Sequence, residues 1–124
     1  VKLRQLDEEN CLRQKVAAYY DDNINNPMIT LPKRLPNENN VYHLFPILCE
    51  RRDELRSYLN QNGVQTLIHY PIPPHMQECY RRQWPKVSLR VTEKLAKLEL
   101  SLPISQVMTE NEICAVTELI NRFR

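Results

Sequence analysis

The sequence predicts an α+β fold in which a small three-stranded sheet is backed by helices. Three short runs, at residues 41–48, 64–68 and 98–102, are rich in the apolar, branched and aromatic residues typical of strands. Segments with apolar residues at helical spacing precede, separate and follow these runs. The 124 residues suffice for one domain. We therefore expect residues 1–124 to form a single domain with helices layered on the sheet.

The first forty residues are predicted to contain a helix and then an irregular segment. Leu12, Val16 and Tyr19 recur at helical spacing, which favours a helix over residues 3–22 with these side chains on its buried face. Residues 23–40 contain three prolines and several asparagines. That composition is typical of a surface connector without regular structure.

The run at 41–48 is apolar on both faces, as expected for a strand that is covered on both sides. Pro46 lies inside it and lacks a backbone donor, which predicts an edge strand or a bulge there. Residues 50–61 follow with a helical apolar pattern. Gly63, the only glycine, can adopt the positive φ that ends a helix.

The second half of the chain is predicted to be mainly helical around the third strand. Residues 75–82 favour a short helix, and Val91, Leu95 and Leu98 mark one face of another. The sequence from Leu98 onward then alternates apolar and polar residues until Pro103, as a strand does.

The last helix has the clearest start signal. Thr109 and Glu112 have the spacing of a capping box, in which each side chain bonds the backbone of the other residue. Ile113, Val116 and Ile120 follow on one face, which predicts that this helix packs on the core.

Composition excludes several classes of function. The net charge of +2 comes from 17 basic and 15 acidic side chains, which is too balanced to indicate nucleic-acid or membrane binding. A single glycine cannot build the Gly-rich loop that cradles phosphate. The four cysteines are scattered without a CxxC pair. This usage is typical of reduced thiols in a cytoplasmic protein.

The candidate site is a proline-rich loop that follows the second strand-like run. His69, Tyr70 and His75 lie on it, and prolines occupy three of the four positions 71–74. Proline fixes φ, so these polar aromatic side chains are held on a stiff segment. From the residues alone, ligand contact and structural packing are equally good interpretations.

Other chemistries remain open at this loop. His69, His75 and Cys79 are ligand types that zinc accepts, although their spacing matches no common zinc motif. Cys79 lies one helical turn from His75, so a nucleophilic thiol with an imidazole base is an alternative. His43 lies in an apolar run, where most histidines are core residues.

Four motifs in order resemble the DegT/StrS-type sugar aminotransferases. They are YHLF at 42–45, RDEL at 52–55 with GV at 63–64, IHYPIPPHMQ at 68–77 and LSLP at 100–103. The resemblance extends over residues 1–124. It departs from the family pattern at Pro46, where a branched residue is common, and after Gln77, where a proline is frequent.

The resemblance implies a fragment of a fold-type-I enzyme that depends on pyridoxal phosphate (PLP). This chain would be the C-terminal small domain, with residues 1–22 as the helix leading in from a larger N-terminal domain. That domain would supply the Schiff-base lysine and most of the PLP site, so we expect no catalytic residue and no metal site here. The fragment alone would be inactive.

The resemblance also implies a substrate and partners. Family members transfer an amino group, usually from glutamate, to a nucleotide-linked keto-sugar, in the biosynthesis of lipopolysaccharide, other cell-surface sugars or secondary metabolites, and are usually cytoplasmic homodimers. His69, Tyr70 and His75 would bind the substrate, and Tyr42 and His43 would support their loop. The alternative is a non-catalytic ligand-binding or interaction domain that reuses the same scaffold.

Overall fold

The computed structural model describes residues 2–34 and 39–124. Pro36, part of the predicted connector, lies outside the described residues. The regular elements are five α-helices and three strands, in the order α1 (Leu6–Asn23), β1 (Ile29–Thr30), β2 (Phe45–Cys49), α2 (Arg52–Gln61), α3 (Glu78–Arg81), α4 (Arg90–Leu98), β3 (Glu99–Leu102) and α5 (Glu110–Arg122). Two single turns of 3₁₀ helix, Lys2–Gln5 and Pro74–Met76, complete the described part. The α+β class with a three-stranded sheet is confirmed.

The sheet is antiparallel with the order β1-β2-β3, and it separates two layers. Alternate residues of β2 are buried, so one face of the sheet joins the main core with α1, α2 and α5. The opposite face carries the half-buried β2 side chains and borders α4. The strand expected at 41–48 is thus observed only from Phe45 to Cys49, and its second face is half-buried rather than fully covered.

The predicted strand at 64–68 does not form, and β1 completes the sheet instead, inside the segment 23–40 expected to lack regular structure. Of residues 64–68, only Leu67 pairs with β3, through two backbone hydrogen bonds to Ser101 of 3.2 and 2.8 Å. On one side of this bridge the partner strand reaches Pro103, which has no N–H to donate. On the other side the His69 N–H donates to the Glu99 carboxylate at 2.8 Å rather than to a backbone carbonyl. The ladder therefore stops after one pair.

Pro46 occupies the central strand, so the expectation of an edge or a bulge is wrong. It pairs with Ser101 in continuous register. Because Ser101 uses both backbone groups to bond Leu67, its pairing with Pro46 is of the type that exchanges no hydrogen bonds. The nitrogen of Pro46 therefore points away from β3, to a side where β1 pairs only with Leu48 and Cys49.

The predicted buried face is correct for α5 and correct in part for α1 and α4, where Val16 and Leu98 are buried as expected. The helix expected at 50–61 is confirmed as α2, and so are the capping box that starts α5 and the positive φ of 81° at Gly63. In α1, Tyr20 is fully buried and Tyr19 is exposed; the Tyr20 ring packs edge-on against Phe45 and its hydroxyl donates to the Pro103 carbonyl at 2.9 Å. In α4, Val91 and Leu95 are exposed.

No helix within residues 2–34 and 39–124 has both the length and the apolarity needed to cross a bilayer.

Candidate functional site

Two adjoining clefts meet at His69. The larger has a volume of about 470 Å³ and the smaller about 200 Å³, and both are lined by Leu44, His69 and Ser101. The larger cleft has a mainly apolar wall, formed by Pro46, Pro73, Pro74, Leu95 and Ala96. An apolar cleft with a few polar groups at one side is the usual form of a small-molecule site.

The alternation along β3 supplies the polar side of the larger cleft. Leu100 and Leu102 are buried in the main core, so Glu99 and Ser101 project from the opposite face of the strand. Glu99 and Ser101 therefore line the larger cleft together. Sequence reasoning missed both residues, although the alternation that places them was visible.

His69 is tied to β3 by two hydrogen bonds, whose partners are themselves bonded to each other. Its Nδ1 lies 2.9 Å from the Ser101 hydroxyl oxygen, and its backbone N–H donates to Glu99 Oε2 at 2.8 Å. The Ser101 hydroxyl in turn donates to Glu99 Oε1 at 2.5 Å. The imidazole is therefore fixed in orientation while 31% of the side-chain surface stays accessible.

Tyr70 lies next to His69 with a strained backbone and an exposed ring. Its φ is 57°, in the left-handed region that few residues other than glycine adopt. The residue is 74% exposed and lines the larger cleft. Backbone strain of this kind concentrates at functional sites, and here it directs a phenol outward from the cleft edge.

His75 is buried and lines neither cleft. Its Nε2 donates to Glu93 Oε1 at 3.1 Å, and the same oxygen accepts the Leu89 N–H and the Ser88 hydroxyl. The Leu89 N–H is the largest cause that lowers the pKa of Glu93, followed by the His75 hydrogen bond. His75 therefore fastens the proline-rich loop to the start of α4.

Tyr42 and His43 have different surroundings. Tyr42 packs against the Phe45 ring at 6.4 Å, and the Arg34 guanidinium lies 5.0 Å above it. His43 is exposed and lines the smaller cleft together with His69. The structure thus brings His69 and Tyr70 together at the larger cleft, and His43 and His69 at the smaller one.

The metal and thiol alternatives have no geometric support. Within residues 2–34 and 39–124, no three His, Cys, Asp or Glu side chains are grouped so that they could hold a metal ion. The Cys79 sulfur is exposed and lies 3.9 Å from Gln77 Oε1. The imidazole of His75, its supposed base, is bonded to Glu93 instead.

A third depression, separate from the two clefts, is a groove of about 880 Å³ between α2, α5 and the segment that follows α2. No histidine, cysteine or tyrosine lines it. We therefore place the candidate site at the two clefts around His69, where the polar aromatic side chains converge.

Comparison with known proteins gives a consistent result. A model of the DegT/DnrJ/EryC1/StrS aminotransferase family matches residues 1–121. The chain is 42% identical to a dTDP-3-amino-3,6-dideoxy-alpha-D-galactopyranose transaminase of Aneurinibacillus thermoaerophilus, and the match covers 99% of this chain and 34% of that protein.

Solved structures agree with the sequence comparison. S. venezuelae DesV, crystallised in complex with a ketimine intermediate, superposes with a TM-score of 0.92 at 38% identity, covering 97% of this chain and 33% of DesV. NtdA from Bacillus subtilis, with its cofactor PMP bound, superposes with a TM-score of 0.81 at 33% identity, covering 90% and 27% of the two chains. The chain thus spans about a third of the length of these relatives.

Proposed function

The chain belongs to the DegT/DnrJ/EryC1/StrS aminotransferase family, and we propose that it is the C-terminal domain of a PLP-dependent enzyme that aminates a nucleotide-linked keto-sugar. The amino donor would be glutamate, and the products would enter cell-surface or secondary-metabolite sugars. The relative from A. thermoaerophilus, named for a dTDP-linked amino sugar, supports this substrate class.

The clefts do not fit PLP itself. All six lysines of the chain are exposed, and none lines either cleft. Both oxygens of the Glu99 carboxylate already accept hydrogen bonds from this chain. We propose that the Schiff-base lysine and the PLP phosphate site belong to a larger N-terminal domain, with residues 1–22 leading in from it.

The same clefts suit part of a sugar substrate. The apolar wall around Pro46 and Leu95 can pack against the C–H face and methyl group of a deoxysugar. The fixed imidazole of His69 and the outward phenol of Tyr70 can hydrogen-bond its hydroxyl groups. The observation that carries the proposal is their convergence at one cleft edge, where a second domain can close over them. His75, being buried, would act by holding this loop.

Two further proposals concern the oligomeric state and the cellular location of the enzyme. Several large apolar side chains of the segment 70–95 are exposed, among them Ile72, Met76 and Val91. Such a surface suits contact with the rest of the enzyme and with a second copy, which supports a homodimer. The four free cysteines support a cytoplasmic location.

Kinetics on the full-length protein test the proposal. With glutamate as donor and nucleotide-linked keto-deoxysugars as acceptors, we expect PLP-dependent amino transfer. Tyr70→Phe should lower kcat/KM for the sugar nucleotide by roughly tenfold, the equivalent of one hydrogen bond of about 1.4 kcal/mol, while PLP retention stays unchanged. Tyr80→Phe is the matched control, since its ring is exposed but lies outside both clefts.

Two results would count against the proposal. No amino transfer with any keto-sugar would favour a non-catalytic domain on the same scaffold. Equal kinetics for the Tyr70 and Tyr80 variants would remove Tyr70 from the substrate site.

A further inference from the structure

We propose that Glu99 and Ser101 are positioning residues that hold neutral His69 in the Nδ1–H tautomer, so that Nε2 offers a lone pair to a hydroxyl donor of the sugar. The inference rests on the proposed function for the identity of the ligand. Beyond that function, we infer that His69 recognises a hydroxyl donor and that Glu99 and Ser101 make it an acceptor.

The direction of the hydrogen bonds follows from counting protons. An ionised Glu99 can only accept, and its Oε2 already accepts the His69 backbone N–H at 2.8 Å. Ser101 has a single hydroxyl proton, which it donates to Glu99 Oε1 at 2.5 Å. Toward His69 Nδ1, at 2.9 Å, the Ser101 oxygen can then only accept. Nδ1 must therefore carry the proton.

The tautomer decides what the other ring nitrogen can bind. In neutral imidazole one nitrogen donates and the other accepts, so Nε2 becomes the acceptor. No partner for Nε2 is present among the described residues, and the ring lines both clefts. An acceptor nitrogen binds a sugar hydroxyl and disfavours an anionic phosphate oxygen. The diphosphate of the substrate would therefore lie away from His69.

The fold holds this network rigidly. Glu99 and Ser101 project from the same face of β3, two residues apart. The Arg52 guanidinium donates to the backbone carbonyl groups of Glu99 and Ala96, both at 3.3 Å, and so fixes the junction of α4 and β3. Only 13% of the Glu99 side-chain surface is accessible. The carboxylate thus has little freedom to release the Ser101 hydroxyl.

Nuclear magnetic resonance of the full-length protein with ¹⁵N-labelled histidine tests the tautomer directly. Long-range ¹H–¹⁵N correlation distinguishes a protonated ring nitrogen from one with a lone pair. For wild-type His69 near neutral pH we expect Nδ1 protonated and Nε2 with the lone pair. A protonated Nε2, whether in the Nε2–H tautomer or in the imidazolium, would overturn the proposal, and this outcome needs no variant.

Variants at Ser101 test the cause. Ser101→Ala removes the acceptor of the Nδ1 proton, so His69 should shift toward the Nε2–H tautomer, which is the more populated form of free histidine. Ser101→Thr keeps the hydroxyl on a strand residue and should restore the Nδ1–H tautomer. An unchanged tautomer in Ser101→Ala would contradict the positioning role. This readout requires no catalysis, so it is independent of whether the aminotransferase proposal holds.

Ligand addition tests what His69 recognises. We expect the Nε2 resonance of His69 to move when dTDP-L-rhamnose is added, because a deoxysugar hydroxyl then donates to it, and to stay unchanged with dTDP alone. A shift with dTDP alone would contradict recognition of a hydroxyl on the linked deoxysugar. In full-length enzyme, Ser101→Ala should raise KM for the sugar nucleotide several-fold more than it lowers kcat, and Ser101→Thr should recover KM. An unchanged KM in Ser101→Ala would also count against the role.

Discussion

The buried hydroxyl of Tyr20 allows a quantitative test of how α1 is held to the rest of the domain. This residue is fully buried and donates to the Pro103 carbonyl at 2.9 Å, at the end of β3 and beside the smaller cleft. Tyr20→Phe removes the donor, keeps the ring and leaves that carbonyl short of a partner. We expect the free energy of unfolding at pH 7 to fall by about 1–2 kcal/mol.

The adjacent Tyr19 provides the matched control. It is partly exposed, and within residues 2–34 and 39–124 its hydroxyl bonds only the Cys114 sulfur, at 3.2 Å. Tyr19→Phe should therefore change stability much less than Tyr20→Phe does. Urea unfolding followed by circular dichroism measures both variants.

The pH dependence of the stability difference between wild type and Tyr20→Phe gives a second, independent test. Burial raises the pKa of Tyr20 well above its ordinary value of roughly 10. The unfolded chain therefore loses this proton first as pH rises, and the folded state loses stability by about 1.4 kcal/mol per pH unit above roughly pH 10. This pH-dependent loss of stability does not occur below that pH. It is absent from Tyr20→Phe.

The stability difference between wild type and Tyr20→Phe should thus shrink by about 1.4 kcal/mol between pH 8 and pH 11. Titration of the other tyrosines is common to both proteins and cancels in the difference. A variant as stable as wild type at pH 7, or a difference that does not change with pH, would refute the assigned burial and hydrogen bond.

Three further predictions concern α5 and the proline-rich loop. Thr109→Ala removes one half of the capping box that starts α5 and should lower the free energy of unfolding by about 1 kcal/mol in urea unfolding; no change would mean that the cap is not formed. Tyr70→Asn places a residue that tolerates positive φ at a position that is 74% exposed, so the free energy of unfolding should rise by about 0.5–1 kcal/mol. Sugar-nucleotide turnover should fall in the same variant. A destabilised variant would argue against strain at this position. His75→Ala breaks the link to Glu93, so the loop 69–76 should be cleaved faster by protease and should exchange its amide protons faster. The control His43→Ala, at an exposed residue, should leave both rates unchanged. Equal rates in the two variants would show that His75 does not fasten the loop.

Local signals in the sequence were sufficient where the structure depends on neighbouring residues. The capping box at Thr109 and the apolar stripe after it fixed both the start and the buried face of α5, because each contact is within one or two turns. Gly63 ended α2 for an equally local reason, its positive φ. The four ordered motifs identified the family.

Long-range contacts explain the errors. The run at 64–68 has strand composition, but pairing depends on the residues opposite, and there Pro103 lacks a donor. Tyr19 and Tyr20 differ by one position on a helix, and contacts with residues distant in the sequence, the Phe45 ring and the Pro103 carbonyl, hold Tyr20 in the core.

The site was predicted only in part. His69 and Tyr70 attracted attention because polar aromatic residues on a proline-rich loop are conspicuous in a sequence. Glu99 and Ser101 did not, since a polar residue in an alternating strand is indistinguishable from a solvent-facing one until the strand's neighbours are known. His75 attracted attention for the same reason as His69, yet it is buried against α4.

A crystal structure of the full-length protein with PLP and a bound nucleotide-linked deoxysugar tests the central claim most directly. The account predicts that a sugar hydroxyl lies within hydrogen-bond distance, about 2.7–3.2 Å, of His69 Nε2, with the sugar ring against the wall formed by Pro46 and Leu95. A sugar bound with no contact to His69 or Tyr70 would contradict it.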